Sequence, residues 1–290
     1  MKALVSLRRT FATLAAVLTL AVAVDAQAAG EGAALDQFPA DKLNYLPALQ
    51  DGARTFVNYC LNCHSASMMR YNRLRDIGLT EEQIVGNLVF GESKVGDVMN
   101  IAMRPNNAKE WFGALPPDLS VIARARSSGE GSGADWLYTY LRSYYRDSTR
   151  PTGWNNAVFP NVGMPHVLWE WQGSRGANIE EIKVTDEKTH SFARTIVSFD
   201  NAGHRLEKTE KIEGGHPHEG TKITLTPATG GSMSQAMYDE KVANLAAYLS
   251  YMSDPSAKDR VRMGAWVLMF LVLLIFLTWW LNREYWKDIK

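Results

Sequence analysis

Both cysteines of this 290-residue chain fall within one pentapeptide, Cys60-Leu61-Asn62-Cys63-His64. Nothing else in the sequence restricts the fold as much. Two thiols at positions i and i+3 sit one helical turn apart, and the next residue is held beside whatever they grip. C-x-x-C-H is the attachment pattern of a c-type haem: the thiols form thioethers to the two vinyl groups, and His64 is then held under the iron as proximal ligand. Three other readings compete. A thioredoxin-like pair needs a βαβ setting, which is absent here. A structural zinc site needs four ligands and a second Cys/His pair. A plain disulfide has no use for His64. The residues favour one covalently attached haem c. Asp51 to Tyr59 reads as a helix that runs directly into the motif.

The two ends of the chain place it in a cell. Met1-Lys2, Arg8 and Arg9 precede an apolar run from Phe11 to Val24, and Ala26-Gln27-Ala28 follows. A charged start, a short apolar stretch and a small-x-small site describe a secretory signal peptide over 1–28, too short for a membrane span. Near the other end, Met263 to Leu281 is 19 residues without a charge. At 1.5 Å per residue this covers about 28 Å, close to the roughly 30 Å hydrocarbon core. Trp279, Trp280 and Trp286 stand where an aromatic belt lies. Lys258, Arg260 and Arg262 balance Arg283, Lys287 and Lys290, so flanking charge does not set the orientation. The signal peptide does: an exported chain with one later span leaves a cytoplasmic tail over 282–290. The expected layout is a signal peptide (1–28), a periplasmic haem domain (29–262), an anchor (263–281) and that tail, in a bacterial inner membrane. The chain carries 31 basic and 31 acidic residues, and its mean hydropathy is −0.21. Nucleic acid as the main partner and a multi-span membrane protein are both excluded on those grounds.

The second axial ligand is harder to place, because eleven methionines are available. A methionine ligand belongs well downstream, on irregular chain able to wrap over the distal face. Phe159-Pro160-Asn161-Val162-Gly163-Met164-Pro165 fits, since Gly and Pro suppress helix on both sides of Met164. Met103, before Arg104-Pro105, is the runner-up, and Met99 follows. His166 is a pocket residue or an alternative ligand. His216-Pro217-His218 has the look of a short metal tract but reads better as a solvated loop. Ala114-Leu115-Pro116-Pro117-Asp118-Leu119-Ser120 is an extended turn opening a short helix, with Asp118 or Ser120 as its cap. That helix carries Arg124 and Arg126, which alone read as a solvated face.

The remaining elements give a mainly α chain. Thr80-Glu81-Glu82-Gln83 is a capping box for a helix to about Phe90. Asp135 to Tyr145 spaces Trp136, Leu137, Tyr140, Leu141 and Tyr144 as a buried helical face. Ser232 to Ser253 is a longer helix with Tyr238, Val242, Leu245 and Leu249 on one side, stopped by Pro255. Ile179 to Val184, Arg194 to Phe199 and Lys222 to Thr226 alternate and read as short strands of an insert over 172–231.

Together these motifs resemble the cytochrome c1 family, the haem subunits of ubiquinol–cytochrome c reductase (the cytochrome bc1 complex). The resemblance spans roughly residues 36–290. It rests on Cys60 to Ser65, Gly113 to Ser120 with Arg124-Ala125-Arg126, and Pro151-Thr152-Gly153. It continues through Phe159-Pro160 to Gly163-Met164-Pro165, Met233-Ser234-Gln235, and Asp259 to Gly264 entering the anchor. It implies His64 and Met164 as axial ligands, Arg126 and less firmly Arg124 as propionate partners, and Pro116 and Pro117 beside the haem. Trp111-Phe112 stands where some relatives have Asn-Asn, so contacts made by those side chains do not carry over. The insert is longer than in mitochondrial relatives, and no further cysteine pair braces it.

The function implied is one-electron transfer from a Rieske iron–sulfur protein to a c-type cytochrome acceptor within a quinol–cytochrome c reductase, with no independent catalytic site. The anchor would pack in membrane lipid against a cytochrome b subunit, with Gly264 and Ala265 at the close approach. A free or oxidase-linked membrane-tethered carrier would share haem and anchor but not the complex. A non-haem exported binding protein with a disulfide at Cys60 and Cys63 is the rival from another class.

Overall fold

The computed structural model describes residues 34–186, 191–212 and 220–288. The signal segment 1–28, His190, His216 and His218 lie outside the described residues, as does Lys290.

Eight α-helices are found among the described residues. Helix α1 (Leu46–Thr55) starts with Pro47 in its first turn, where a missing N–H costs nothing. It widens into a π turn over Phe56–Cys60, with Leu61 N–H reaching back to the Phe56 carbonyl at 3.0 Å. Helix α2 (Glu81–Asn87) opens on the expected Thr80–Gln83 capping box but ends three residues short of Phe90. Helix α3 (Pro105–Phe112) and the short α4 (Ile122–Ala125) flank the Pro-Pro segment. Helix α5 (Gly133–Arg142) has a capping box between Ser132 and Asp135, and the chain is already extended at Tyr144. After α6 (Trp169–Gln172) come α7 (Gln235–Ser253), N-capped by Ser234, and α8 (Ala257–Tyr285).

Helix α7 is the centre of the core. Tyr238, Val242, Leu245 and Tyr248 are fully buried, and apolar residues of α1, α5 and the Cys60 turn close around them. The α1–α7 crossing is tight at Gly52. A Cβ there would overlap the Asn244 carbonyl oxygen and come within 2.7 Å of Tyr248 Cβ. By contrast, no residue of α8 over 259–285 is buried. Over Asp259–Tyr285 it is long and apolar enough to cross a membrane, and it is the only such helix among the described residues.

The mainly α expectation needs correcting, because the insert is a sheet rather than a few short strands. Strand pairs β1 (Ala66–Arg70) with β2 (Val98–Met99), and β3 (Tyr144–Arg146) with β4 (Trp154–Asn156), belong to the helical body. After β5 (Gly173–Ser174) the chain builds β6 (Ala177–Asp186), β7 (Ser191–Phe199), β8 (Arg205–Ile212) and β9 (Gly220–Leu225). These form one antiparallel sheet in the order β8-β7-β6-β9, and β10 (Thr229–Gly230) returns to pair with β5. Phe199 and Ala177 pack on Tyr145 and fasten the sheet to β3. Strand β8 escaped the sequence reading because Arg205-Leu-Glu-Lys-Thr-Glu-Lys-Ile212 has no apolar face. It is an edge strand with solvent on both sides, and ladder hydrogen bonds rather than burial keep it in place.

On an open helix surface, Gly→Ala gains about 1 kcal/mol. At Gly52 the sign should reverse: Gly52→Ala is expected to lose about 1–3 kcal/mol by overpacking. The thermal unfolding midpoint of the solubilised chain reads this out, and an unchanged or raised midpoint would contradict the α1–α7 packing.

Candidate functional site

The Cys60 turn and the Met164 loop face one another across an apolar cleft of about 290 Å³. Cys60, Cys63, His64, Pro116 and Pro117 line one side, and Val162, Gly163, Met164 and Pro165 the other. Leu137, Leu141, Leu245 and Leu249 form the floor, while Phe112, Leu115 and Phe159 stand at the mouth.

The histidine wall is built by zipping two distant segments together. His64 N–H and Cys63 N–H both donate to the Cys60 carbonyl, at 2.8 and 3.1 Å, which curls the pentapeptide. Ser67 N–H donates to Asp118 Oδ2 at 2.8 Å, Met68 N–H to Ser120 Oγ at 3.0 Å, and Leu119 N–H to the Ser65 carbonyl at 2.8 Å. Asp118 and Ser120 therefore tie down β1 rather than cap α4, whose N-terminus has no side-chain cap. Burial works against the Asp118 carboxylate, but the hydrogen bonds from Ser120 and Ser67 outweigh it and hold its pKa below the usual value. The zipper places the Pro117 carbonyl 2.7 Å from His64 Nδ1. A carbonyl only accepts, so Nδ1 carries the proton and Nε2 keeps its lone pair for the cleft. Burial pushes the His64 pKa down, against the Pro117 hydrogen bond and Asp118, and so favours the neutral imidazole a metal needs.

The methionine wall depends on two buried amides. Asn156 is fully buried, and its Oδ1 accepts from Val158 N–H (2.9 Å), Phe159 N–H (3.0 Å) and Ser143 Oγ (3.1 Å). Its Nδ2 donates to the Tyr140 carbonyl at 2.7 Å. Asn155 Oδ1 accepts from Asn161 N–H at 2.8 Å, and Asn155 Nδ2 donates to the buried Asp147 at 2.9 Å. Asn161 itself is left-handed (φ 62°), a conformation its short polar side chain tolerates. Arg150 donates to its carbonyl at 3.0 Å from the Pro151-Thr152-Gly153 turn. The loop is thus held by side chains where no regular ladder is available. Met164 is half-buried, with Tyr140 Oη 3.4 Å from its sulfur. Tyr140 and Tyr144 hydroxyls are 2.7 Å apart, and burial raises the pKa of both, so both stay protonated.

The other candidates separate clearly. Arg126 lines the cleft, its guanidinium 4.3 Å from the Trp136 ring centroid and 5.7 Å from that of Phe159, with no ion pair among the described residues. Arg124 does not line it. Two residues earlier on the same turn, it points out toward Asp254 at 3.9 Å. Met99 is buried elsewhere, its sulfur facing Tyr248 Oη at 3.8 Å, and Met103 is not part of the cleft wall. His166 lies behind the Met164 loop, stacked on Tyr144 at 4.7 Å, and burial with nearby Arg175 lowers its pKa to about 3. Helical spacing marks Tyr140 and Tyr144 only as core, and no local motif singles out Asn155 and Asn156. A run of two amides just before a Pro- and Gly-punctuated loop was the signal available.

The donor set fits a c-type haem. Two unbonded thiols, an imidazole with a free Nε2 and a thioether meet in one apolar space, with a single cation at its edge. It fits the thioredoxin-like and zinc readings less well. A redox-active thiol pair needs a depressed pKa, whereas burial, and then Cys63, push Cys60 up to about 12. No group of three or more His, Cys, Asp or Glu side chains able to hold a zinc ion comes together among the described residues. Truncating Asn156 to Ala would strand several buried donors, each worth about 1–3 kcal/mol. A loss of at least about 2 kcal/mol in denaturant unfolding is expected. Wild-type stability in Asn156→Ala would contradict this account of the loop.

Comparison with known proteins points to one family. The family described as Cytochrome C1 family matches residues 41–289. Cytochrome c1 of Allochromatium vinosum is 40% identical over 244 residues, covering 83% of this chain and 84% of that protein. The ammonia monooxygenase gamma subunit of Nitrosomonas europaea is 39% identical over 264 residues, covering 91% and 92%. Cytochrome c1 of Rhodospirillum rubrum is 25% identical, covering 84% and 82%. With its C-x-x-C-H turn and Met164 loop on opposite walls of one cleft, this chain belongs to the cytochrome c1 family.

Proposed function

We propose that one haem c sits in this cleft, bound through thioethers to Cys60 and Cys63 and ligated by His64 and Met164. The observation that carries the reading is the hydrogen bond from His64 Nδ1 to the Pro117 carbonyl, which aims Nε2 into the space that Met164 enters from the far side. As a cytochrome c1, the chain is the haem subunit of the cytochrome bc1 complex and carries electrons from the Rieske iron–sulfur protein to a cytochrome c. It is thereby the electron-transfer subunit of a quinol–cytochrome c reductase, with no acid–base or nucleophilic site of its own. The Nitrosomonas europaea relative bears a different name.

Bound haem supplies the one-electron Fe(III)/Fe(II) couple. The protein's part is to hold, orient and dry it. Cys60 and Cys63 would hold it through two thioethers, each made by adding S–H across a vinyl double bond with no electrons gained or lost. The apolar floor excludes water, which disfavours the more highly charged oxidised state, and His/Met ligation raises the potential further. Arg126 is the residue placed to pair with a propionate, and its stack on Trp136 presents the guanidinium edge for a charge-assisted hydrogen bond. Pro116 and Pro117 supply rigid apolar wall. Helix α8 anchors the chain in the membrane, with Gly264 and Ala265 as the close approach to a cytochrome b subunit and the haem domain on the periplasmic side.

Cys60→Ser with Cys63→Ser should abolish haem staining of the chain on a denaturing gel. Staining that survives would refute the attachment. Met164→Leu should lower the reduction equilibrium at least about tenfold, about 59 mV for one electron, and should admit carbon monoxide to the reduced protein. An unchanged potential would remove Met164 as ligand. Gentle solubilisation should bring down b-type haem and a [2Fe–2S] protein with the chain, whereas covalent haem without either would point to a free tethered carrier.

A further inference from the structure

Tyr140 lies flat on Trp136, with 4.7 Å between ring centroids and 12° between planes, and holds its hydroxyl 3.4 Å from Met164 Sδ. Tyr144 stands behind it. The Tyr144 hydroxyl is 2.7 Å from the Tyr140 hydroxyl and 3.4 Å from the Met164 carbonyl oxygen. Each hydroxyl has one proton, so the pair can run in two directions. Either Tyr144 donates to Tyr140 and Tyr140 to the sulfur, or Tyr140 donates to Tyr144 and Tyr144 to the carbonyl. The 2.7 Å link is common to both, so the outer contacts decide. An O–H···O bond is normally 2.5–3.0 Å, and 3.4 Å is beyond that range. The same distance to sulfur, a larger atom, is a hydrogen-bonding contact. The first direction is therefore favoured, and in it Tyr144 polarises the hydroxyl that faces the sulfur.

We propose that Tyr140 is a positioning residue for the thioether, donating its proton to Met164 Sδ under the hold of Tyr144 and so raising the reduction potential. This rests on the reading of Met164 as axial ligand. A thioether shares one lone pair with the metal and has one left. A proton donor on that remaining pair withdraws electron density from the sulfur. Oxidised iron depends on that density more than reduced iron, so the donor favours the reduced state. The contact lines an apolar cleft, and a haem bound there would keep water from competing for either partner.

The test is an equilibrium redox titration of the full-length, haem-loaded chain in detergent. Tyr140→Phe keeps the ring and its stack on Trp136 but removes the donor. The reduction equilibrium constant should fall about threefold to tenfold, about 30 to 60 mV at 59 mV per tenfold. Tyr144→Phe leaves Tyr140 its proton and leaves the sulfur as the only nearby acceptor, so its constant should fall by less than about twofold, the share lost with the polarising neighbour. Equal falls in both variants would mean that packing, not the bond, sets the effect, and would overturn the proposal. An unchanged potential in Tyr140→Phe, with Met164→Leu lowering it, would overturn the proposal alone. If neither variant moves the potential, the ligand reading beneath it fails as well. Should Tyr140→Phe not accumulate, replacing tyrosine throughout by 3-fluorotyrosine, a stronger donor of nearly the same shape, reads the same bond with opposite sign. The potential should then rise, and no rise would overturn the proposal.

Discussion

Pro117 has no N–H to give, yet its carbonyl is where the two halves of the histidine wall meet. The hydrogen bond that it accepts from His64 Nδ1 crosses 53 residues of sequence. By itself such a bond contributes only about 0.5–1.5 kcal/mol net. Its weight is geometric: it fixes which imidazole nitrogen holds the proton and how the ring is turned. Everything around it serves to hold that carbonyl still. Proline limits the backbone on its own side, and Asp118 and Ser120 pin the following residues to β1. A shift in this segment would turn His64 before it disturbed the core.

The methionine wall is made differently, and the contrast explains how the two walls read in sequence. On the histidine side, spacing carries the information, because C-x-x-C-H is a local pattern with one dominant use. The Pro-Pro-Asp-Leu-Ser segment was recognisable as well, though its polar residues look like caps and turn out to be cross-links to β1. On the methionine side, Asn155 and Asn156 serve five N–H and O–H donors from 143 to 161. An amide that holds a loop and an amide that faces water look the same in a sequence. Only their burial separates them, and burial is a tertiary fact.

Elsewhere the same rule holds. The helices announced themselves through periodicity, and the burial of Tyr238, Val242 and Leu245 follows from it. Their ends were less legible. Helix α5 stops at Arg142 because Tyr144 pairs with Asn156, so a strand partner ends the helix where its own apolar spacing would carry it on. Strand β8 was invisible for the opposite reason. It buries nothing, so no apolar alternation was selected, and only its ladder to β7 makes it a strand.

Arg124 and Arg126 show what local reading leaves out even when the motif is recognised. Two residues apart on a single helical turn, they leave it in different directions. Arg126 enters the cleft, and Arg124 reaches Asp254 at the joint with the anchor, where Arg260 also arrives at 2.7 Å. The Arg124 ion pair is long and the arginine is two-thirds exposed, so it contributes little. The stronger tie lies beneath it. Ala123 N–H donates to the buried Ser253 Oγ at 3.1 Å, which joins α4 to the last residue of α7. Gly133 admits the Ala123 carbonyl so closely that no side chain would fit, which presses α4 onto α5. This one turn therefore holds a wall of the cleft, the end of the core helix and the root of the membrane anchor together. Its two arginines can be so different because the turn is shared by three segments, each of which takes one of its faces.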